Sequence, residues 1–120
     1  MLVQELKNLG AHVTVAVKAA PILNDATLED AKIVGMDKVA DKVMSTGSDS
    51  VGLFPDECSE EFRALYRSVD FVVAKGMGHA ETLTELELPV SSALLLRSKC
   101  VTVANHFNVD IGKNIAKLLH

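Results

Sequence analysis

Apolar positions recur along this chain at two spacings, and the two alternate. Leu2, Val3, Leu6 and Leu9 repeat at helical spacing, and Gly10 supplies a stop. Behind it, residues 12–17 form an apolar, β-branched run that reads as a buried strand. Lys18-Ala19-Ala20-Pro21 ends that run, because Pro21 holds its neighbour extended. Asn24-Asp25-Ala26-Thr27 is a polar break, and Thr27-Leu28-Glu29-Asp30 opens a helix that runs towards Gly35, with acids in its first turn. A second short helix is predicted over residues 36–41, then a strand over 42–46 and a polar loop over 47–50. From Glu60 to Val69 a helix carries Phe62, Leu65, Tyr66 and Val69 on one stripe. Residues 70–75 read as a strand, and Gly76-Met77-Gly78 turns it into a helix beginning near His79. Another strand covers residues 92–97. Residues 100–107 fit a helix, although Val101 and Val103 also suit a strand, and Ile111, Ile115 and Leu118 predict a closing helix.

Helices alternating with apolar strands predict an α/β fold: three layers, α/β/α, around a mostly parallel, Rossmann-like sheet. The 120 residues suit a single domain. Open parallel sheets receive ligands at the carboxyl ends of their strands. Here those ends carry Lys18, residues 45–47, Lys75 to Gly78 and Arg97 to Lys99, so polar and glycine-containing stretches are expected on one rim.

Charge and composition narrow the partners. Twelve basic side chains against 16 acidic ones give a net charge of −4, which disfavours sequence-independent nucleic-acid binding. Aromatic residues make up 4% of the chain and Trp is absent, too few for a base-stacking platform. No run approaches the roughly 18 apolar residues of a membrane span, and the first residues lack the pattern of a signal peptide. Cys58 and Cys100 form no C-x-x-C pair, so reduced thiols and a cytoplasmic location are expected.

Three stretches could carry chemistry. In Lys75-Gly76-Met77-Gly78-His79-Ala80-Glu81-Thr82, two glycines between strand and helix would let backbone amides approach an anion, and Lys75 adds a charge. The plainer alternative is a tight strand-to-helix turn, and no third glycine completes a dinucleotide fingerprint. In Asn24-Asp25-Ala26-Thr27, a carboxylate beside a carboxamide at a strand exit suits a hard divalent cation, or else forms an Asx-turn with Thr27 as helix cap. In Arg97-Ser98-Lys99-Cys100, Lys99 falls on the same rim as Lys75, while Cys100 reads as a small buried hydrophobe. His12, His106 and His120 have no metal-ligand spacing and read as structural or surface residues.

Four segments in order carry a resemblance. They are Ala20-Pro21-Ile22-Leu23-Asn24-Asp25-Ala26-Thr27-Leu28-Glu29-Asp30-Ala31, Ser45-Thr46-Gly47, Asp70-Phe71-Val72-Val73-Ala74-Lys75-Gly76-Met77-Gly78 through Glu81-Thr82-Leu83, and Leu95-Leu96-Arg97-Ser98-Lys99-Cys100. This order resembles the carboxyl-terminal half of the domain of unknown function 89 family, the metal-dependent damage-control phosphatases. The resemblance runs from the first helix to about residue 115. It implies a cytoplasmic α/β protein that hydrolyses phosphate monoesters of small metabolites with a divalent cation (manganese, cobalt, nickel or magnesium). It further implies that Asp25 is a metal ligand and catalytic residue, and that Lys99 is the catalytic, phosphate-facing lysine. Asn24, Lys75, Gly76, Gly78, His79 and Glu81 would contact substrate, with His79 standing where the family commonly has Asn.

The family's principal D-N-A-G-E metal segment lies on a strand preceding the helix with which this chain begins, so the chain is similar to a family fold cut short at its amino end. Weak metal binding and low activity are therefore expected. A rival reading is a non-catalytic half-domain that forms a homo-oligomer or assembles with a partner chain supplying the missing strand and covering an open sheet edge.

Overall fold

The computed structural model describes residues 2–23, 25–84 and 89–119, with Glu81 described in its backbone alone. In order, its elements are α1 (Leu2–Asn8), β1 (Thr14–Val17), α2 (Leu28–Ile33), α3 (Met36–Val39), β2 (Lys42–Ser45), a 3-10 turn (Pro55–Glu57), α4 (Glu60–Ser68), β3 (Val72–Lys75), α5 (Gly78–Leu83), β4 (Ser92–Arg97), α6 (Val101–His106) and β5 (Asn114–Leu119). The chain is α/β, as its periodicities predict. It divides into two compact units: Met1–Ser50 with Glu57–Phe62, and Val51–Asp56 with Arg63–His120. Among the described residues no helix is long and apolar enough to cross a membrane.

In the first unit β1 and β2 pair in parallel, Thr14 opposite Lys42 through Val17 opposite Ser45. A parallel pair needs a crossover, which α2 and α3 provide. Thr27 starts α2 with a reciprocal cap: its amide donates to Asp30 Oδ2 (2.9 Å), and its Oγ1 accepts from the Asp30 amide (3.4 Å). Among the described residues, Val17, Ala31, Ala40, Met44, Cys58 and Phe62 are the buried apolar side chains of this unit.

Gly10 stops α1 as expected, but the apolar face of the helix departs from expectation. The Gly10 amide donates to Lys7 O and the Ala11 amide to Leu6 O, with Gly10 at φ +93°, a left-handed close that leaves Leu9 outside the helix. Leu9 is 83% exposed, and no residue of α1 is fully buried, so the predicted four-residue apolar face is only half used. A charged contact holds the helix instead. Lys7 Nζ donates to Val39 O (3.0 Å) and lies 3.3 Å from Asp41 Oδ1. Asp41 Oδ2 also accepts from the Val13 amide (2.7 Å). That backbone hydrogen bond, aided by Lys7, holds the Asp41 carboxyl below the usual carboxylate value.

In the second unit β3 pairs with β4 in parallel, and β4 pairs with β5 antiparallel. Residues 114–119 are therefore a strand, and the predicted closing helix is corrected. Gly112 at φ +87° and Asn108 at φ +54° break a helical path, and the β4 edge satisfies the backbone of β5 along the whole Ser92–Arg97 ladder. The segment following Cys100 resolves as helix, with Val103 and Ala104 buried. Leu53, Tyr66, Ala74, Ala80, Leu83, Leu94 and Leu96 are buried in this unit, and Leu94 is fully inaccessible.

Candidate functional site

In the first unit the site elements gather at the end of β1. The Lys18 amide donates to Ala26 O (3.0 Å), and Lys18 bridges Thr27 in parallel, so the segment carrying Asp25 runs beside the strand exit. The Asp25 amide closes a turn onto Ile22 O (3.0 Å), with Leu23 left-handed at φ +49° and 83% exposed. Asp25 is half-buried. The helix cap is made by Thr27 with Asp30, as the plainer reading of this stretch expected of Thr27. Asn24 lies outside the described residues.

Beside this turn, Lys18 is buried and donates from Nζ to Ser50 O (2.7 Å). The polar loop after β2 is internally tied: the Gly47 amide donates to Ser45 Oγ (2.9 Å), and the Ser48 amide to Thr46 Oγ1 (3.2 Å). At Gly47, with φ +79°, an added Cβ would lie 2.8 Å from the Ser59 amide nitrogen, so glycine is required there.

The second unit carries the cationic part. Lys75 ends β3 opposite Leu95, and the Gly76 amide extends that ladder by donating to Leu95 O (2.9 Å). Gly76 then turns the chain at φ +116°. Gly78 opens α5, and it is glycine for another reason. A Cβ there would meet Val51 Cγ1 at 3.1 Å and the Gly52 nitrogen at 3.2 Å. The Gly52-Leu53 segment is pinned in turn, the Leu53 amide donating to buried Thr82 Oγ1 (3.0 Å). The His79 amide donates to Gly76 O (3.3 Å), and that of Ala80 to Met77 O (3.0 Å). The amide cradle expected from the two glycines is thus partly spent on the turn itself.

Past β4, Ser98 is fully buried and ties the strand exit to the loop before β5. Its Oγ donates to Asp110 O (2.6 Å) and accepts from the Lys113 amide (3.0 Å), and its own amide donates to Lys113 O (2.8 Å). Lys99 follows, exposed. Lys75, Gly76, Met77, Arg97, Lys99 and Asn114 all border one hollow of about 570 Å³. The structure therefore joins three predicted residues, Lys75, Gly76 and Lys99. Gly78 and His79 are not on that hollow's wall, and the side chain of Glu81 lies outside the described residues.

Two members escaped sequence reasoning as site residues. Arg97 was visible as part of the rim, and period-two alternation along β4 puts it on the face of Leu95. Asn114 was hidden because its segment carries a helical spacing. As for a metal, the described residues contain no group of three or more His, Cys, Asp or Glu placed to hold one. Asp25 alone does not make the donor set of a divalent cation, which takes several oxygen ligands.

Comparison with known proteins gives consistent results. The chain is 46% identical over 117 residues to an uncharacterised protein of Methanocaldococcus jannaschii, covering 96% of this chain and 38% of that one. A damage-control phosphatase of Archaeoglobus fulgidus is 37% identical over 120 residues, covering 99% of this chain and 41% of the relative. A crystal structure of a DUF89 family protein from Pyrococcus horikoshii superposes with a TM-score of 0.84 at 38% identity, over 94% of this chain and 39% of that one. This chain thus spans about two fifths of the length of the relatives it matches. With a family model for the damage-control phosphatase ARMT1-like domain matching residues 1–115 as well, the chain belongs to that family.

Proposed function

We propose that this chain supplies the phosphate-holding part of a site that hydrolyses phosphate monoesters of small metabolites. The observation that carries the reading is the pair Lys75 and Lys99 on one hollow beside the Gly76 turn. Kinship with proteins named damage-control phosphatases supports phosphoryl chemistry. In this reading Lys99 faces the phosphoryl oxygens and offsets the charge that grows on them, while Lys75 draws the anion in. Asn24, Gly76, Gly78, His79 and Glu81 orient the substrate.

Asp25 is the carboxylate this chain would give to a manganese, cobalt, nickel or magnesium ion. One carboxylate falls short of such an ion's needs, so no step is assigned to the metal, and slow turnover is expected of this chain. That residues 1–120 act as one domain, partial relative to the family, and work in the cytoplasm belongs to the same proposal. The incomplete donor set among the described residues favours a second reading, in which the chain is a non-catalytic half that pairs with a copy or a partner chain.

The test is a titration of the chain with inorganic phosphate, followed by amide chemical shifts. Residues 75–77 and 97–99 should move together with millimolar affinity, and Lys99→Gln should weaken binding about tenfold, as one charge-assisted contact is lost. Shifts spread evenly over the surface would refute the reading. Added manganese should broaden signals near residue 25 weakly, and not at all in Asp25→Asn. Rapid manganese-dependent hydrolysis of p-nitrophenyl phosphate would overturn the second reading.

A further inference from the structure

The hollow in the second unit is larger than a lone phosphate group needs, and the strand register explains its charge. Lys75 lies opposite Leu95, and Leu95 opposite Ala116; two residues further along β4, Arg97 lies opposite Asn114. Alternation therefore puts these five on one face of the sheet, away from buried Leu94 and Leu96. Strand spacing and rise set the backbones of Lys75 and Arg97 about 8 Å apart on the diagonal. Lys99 closes the hollow from the loop after β4.

Among the described residues the wall thus holds three cations and no carboxylate. Among the described residues none of the three forms an ion pair. Arg97 donates from Nη1 to Asn114 Oδ1 (3.2 Å), a neutral partner that aims the guanidinium without cancelling its charge. Three like charges around about 570 Å³ repel one another, and a ligand whose sole anionic group is a phosphate, at most doubly charged, leaves one of them uncompensated.

We propose that the hollow takes a small metabolite carrying two anionic groups: a phosphate between Lys75 and Lys99, and a second acidic group, carboxylate or phosphate, on Arg97. The inference rests on the phosphate reading and deepens it by naming the substrate class. Leu95 and Ala116 give the short carbon skeleton between the two groups an apolar floor. Arg97 is then the residue that sets specificity.

Calorimetric titration of the full chain with 3-phosphoglycerate and with glycerol 3-phosphate tests this, since the two differ by a carboxylate in place of a hydroxymethyl group. The acid should bind about tenfold tighter, the size of one charge-assisted contact. Arg97→Gln should erase that difference, bringing 3-phosphoglycerate down about tenfold to the affinity of glycerol 3-phosphate. Arg97→Lys should restore part of the preference, keeping the charge but not the planar fork. Equal affinities in the unaltered chain overturn the two-anion proposal and leave the phosphate reading standing. Failure of both compounds and of inorganic phosphate to bind overturns the two together.

Discussion

Gly52 and Gly78 press on each other so closely that Gly52 has no room for a side chain and Gly78 has little. At Gly52, φ is +79°, and a Cβ would come within 2.7 Å of both Gly78 O and Thr82 Cγ2. Gly78 is tight at 3.1 Å, while Gly76 has open space and needs glycine for its φ of +116° alone. Replacing each by Ala should therefore rank in cost as Gly52 first. Overpacking and left-handed strain together should remove about 2–4 kcal/mol there, against about 1–2 kcal/mol at Gly78, read from denaturant midpoints at unchanged m-value. A Gly78→Ala variant as stable as the parent would show that the contact with Val51 and Gly52 relaxes freely. The spacing of two glycines was plain in the sequence, but the reason for the second was not. Its neighbours at positions 51 and 52 come from a loop that no periodicity connects to α5.

At the scale of elements, Asp41 joins α1 to the start of β1. Its carboxyl is held below its ordinary value, first by the Val13 amide and then by Lys7. A group whose folded value is depressed contributes stability above its unfolded value and loses it as pH falls through the folded one. Asp41→Asn should therefore lower the melting temperature at pH 7, and the gap to the parent should narrow as pH drops below about 4. A gap that is constant from pH 7 to strongly acidic solution would assign the effect to packing.

The sequence announced α2 through the Thr27 to Asp30 cap, and α4 through Phe62 and Tyr66, both buried. It misled at both ends of the chain. Gly10 stops α1 as its position announced, yet Leu9, which continues the α1 spacing, falls outside the helix and is exposed. Ile111, Ile115 and Leu118 keep a helical interval, yet only Ile115 and Leu118 lie in β5, on opposite faces. Short segments satisfy either period, and the partner strand decides.

For the whole molecule, the alternation of elements and four motifs in order were enough to reach the α/β class and the family. The site was legible only in parts. Lys75 and Lys99 could be placed on strand ends, but the hollow they share depends on the antiparallel addition of β5, which no local pattern revealed. That addition has a consequence for motion. β4 has a neighbour on each side, and Leu94 and Ser92 within it are wholly inaccessible, whereas β1 and β2 form a two-stranded sheet among the described residues. Isolated two-stranded pairs are marginal, so they open by local fluctuation well before the chain unfolds. In native-state hydrogen exchange the Leu94 and Leu96 amides should be the last to take up deuterium, at rates that follow global unfolding, and those of β2 should exchange sooner. Equal protection of the two sheets would contradict this. On that expectation Arg97 ends the slowest-exchanging strand and Lys75 lies on its neighbour, while the turn holding Asp25 would hang from a pair that opens on its own.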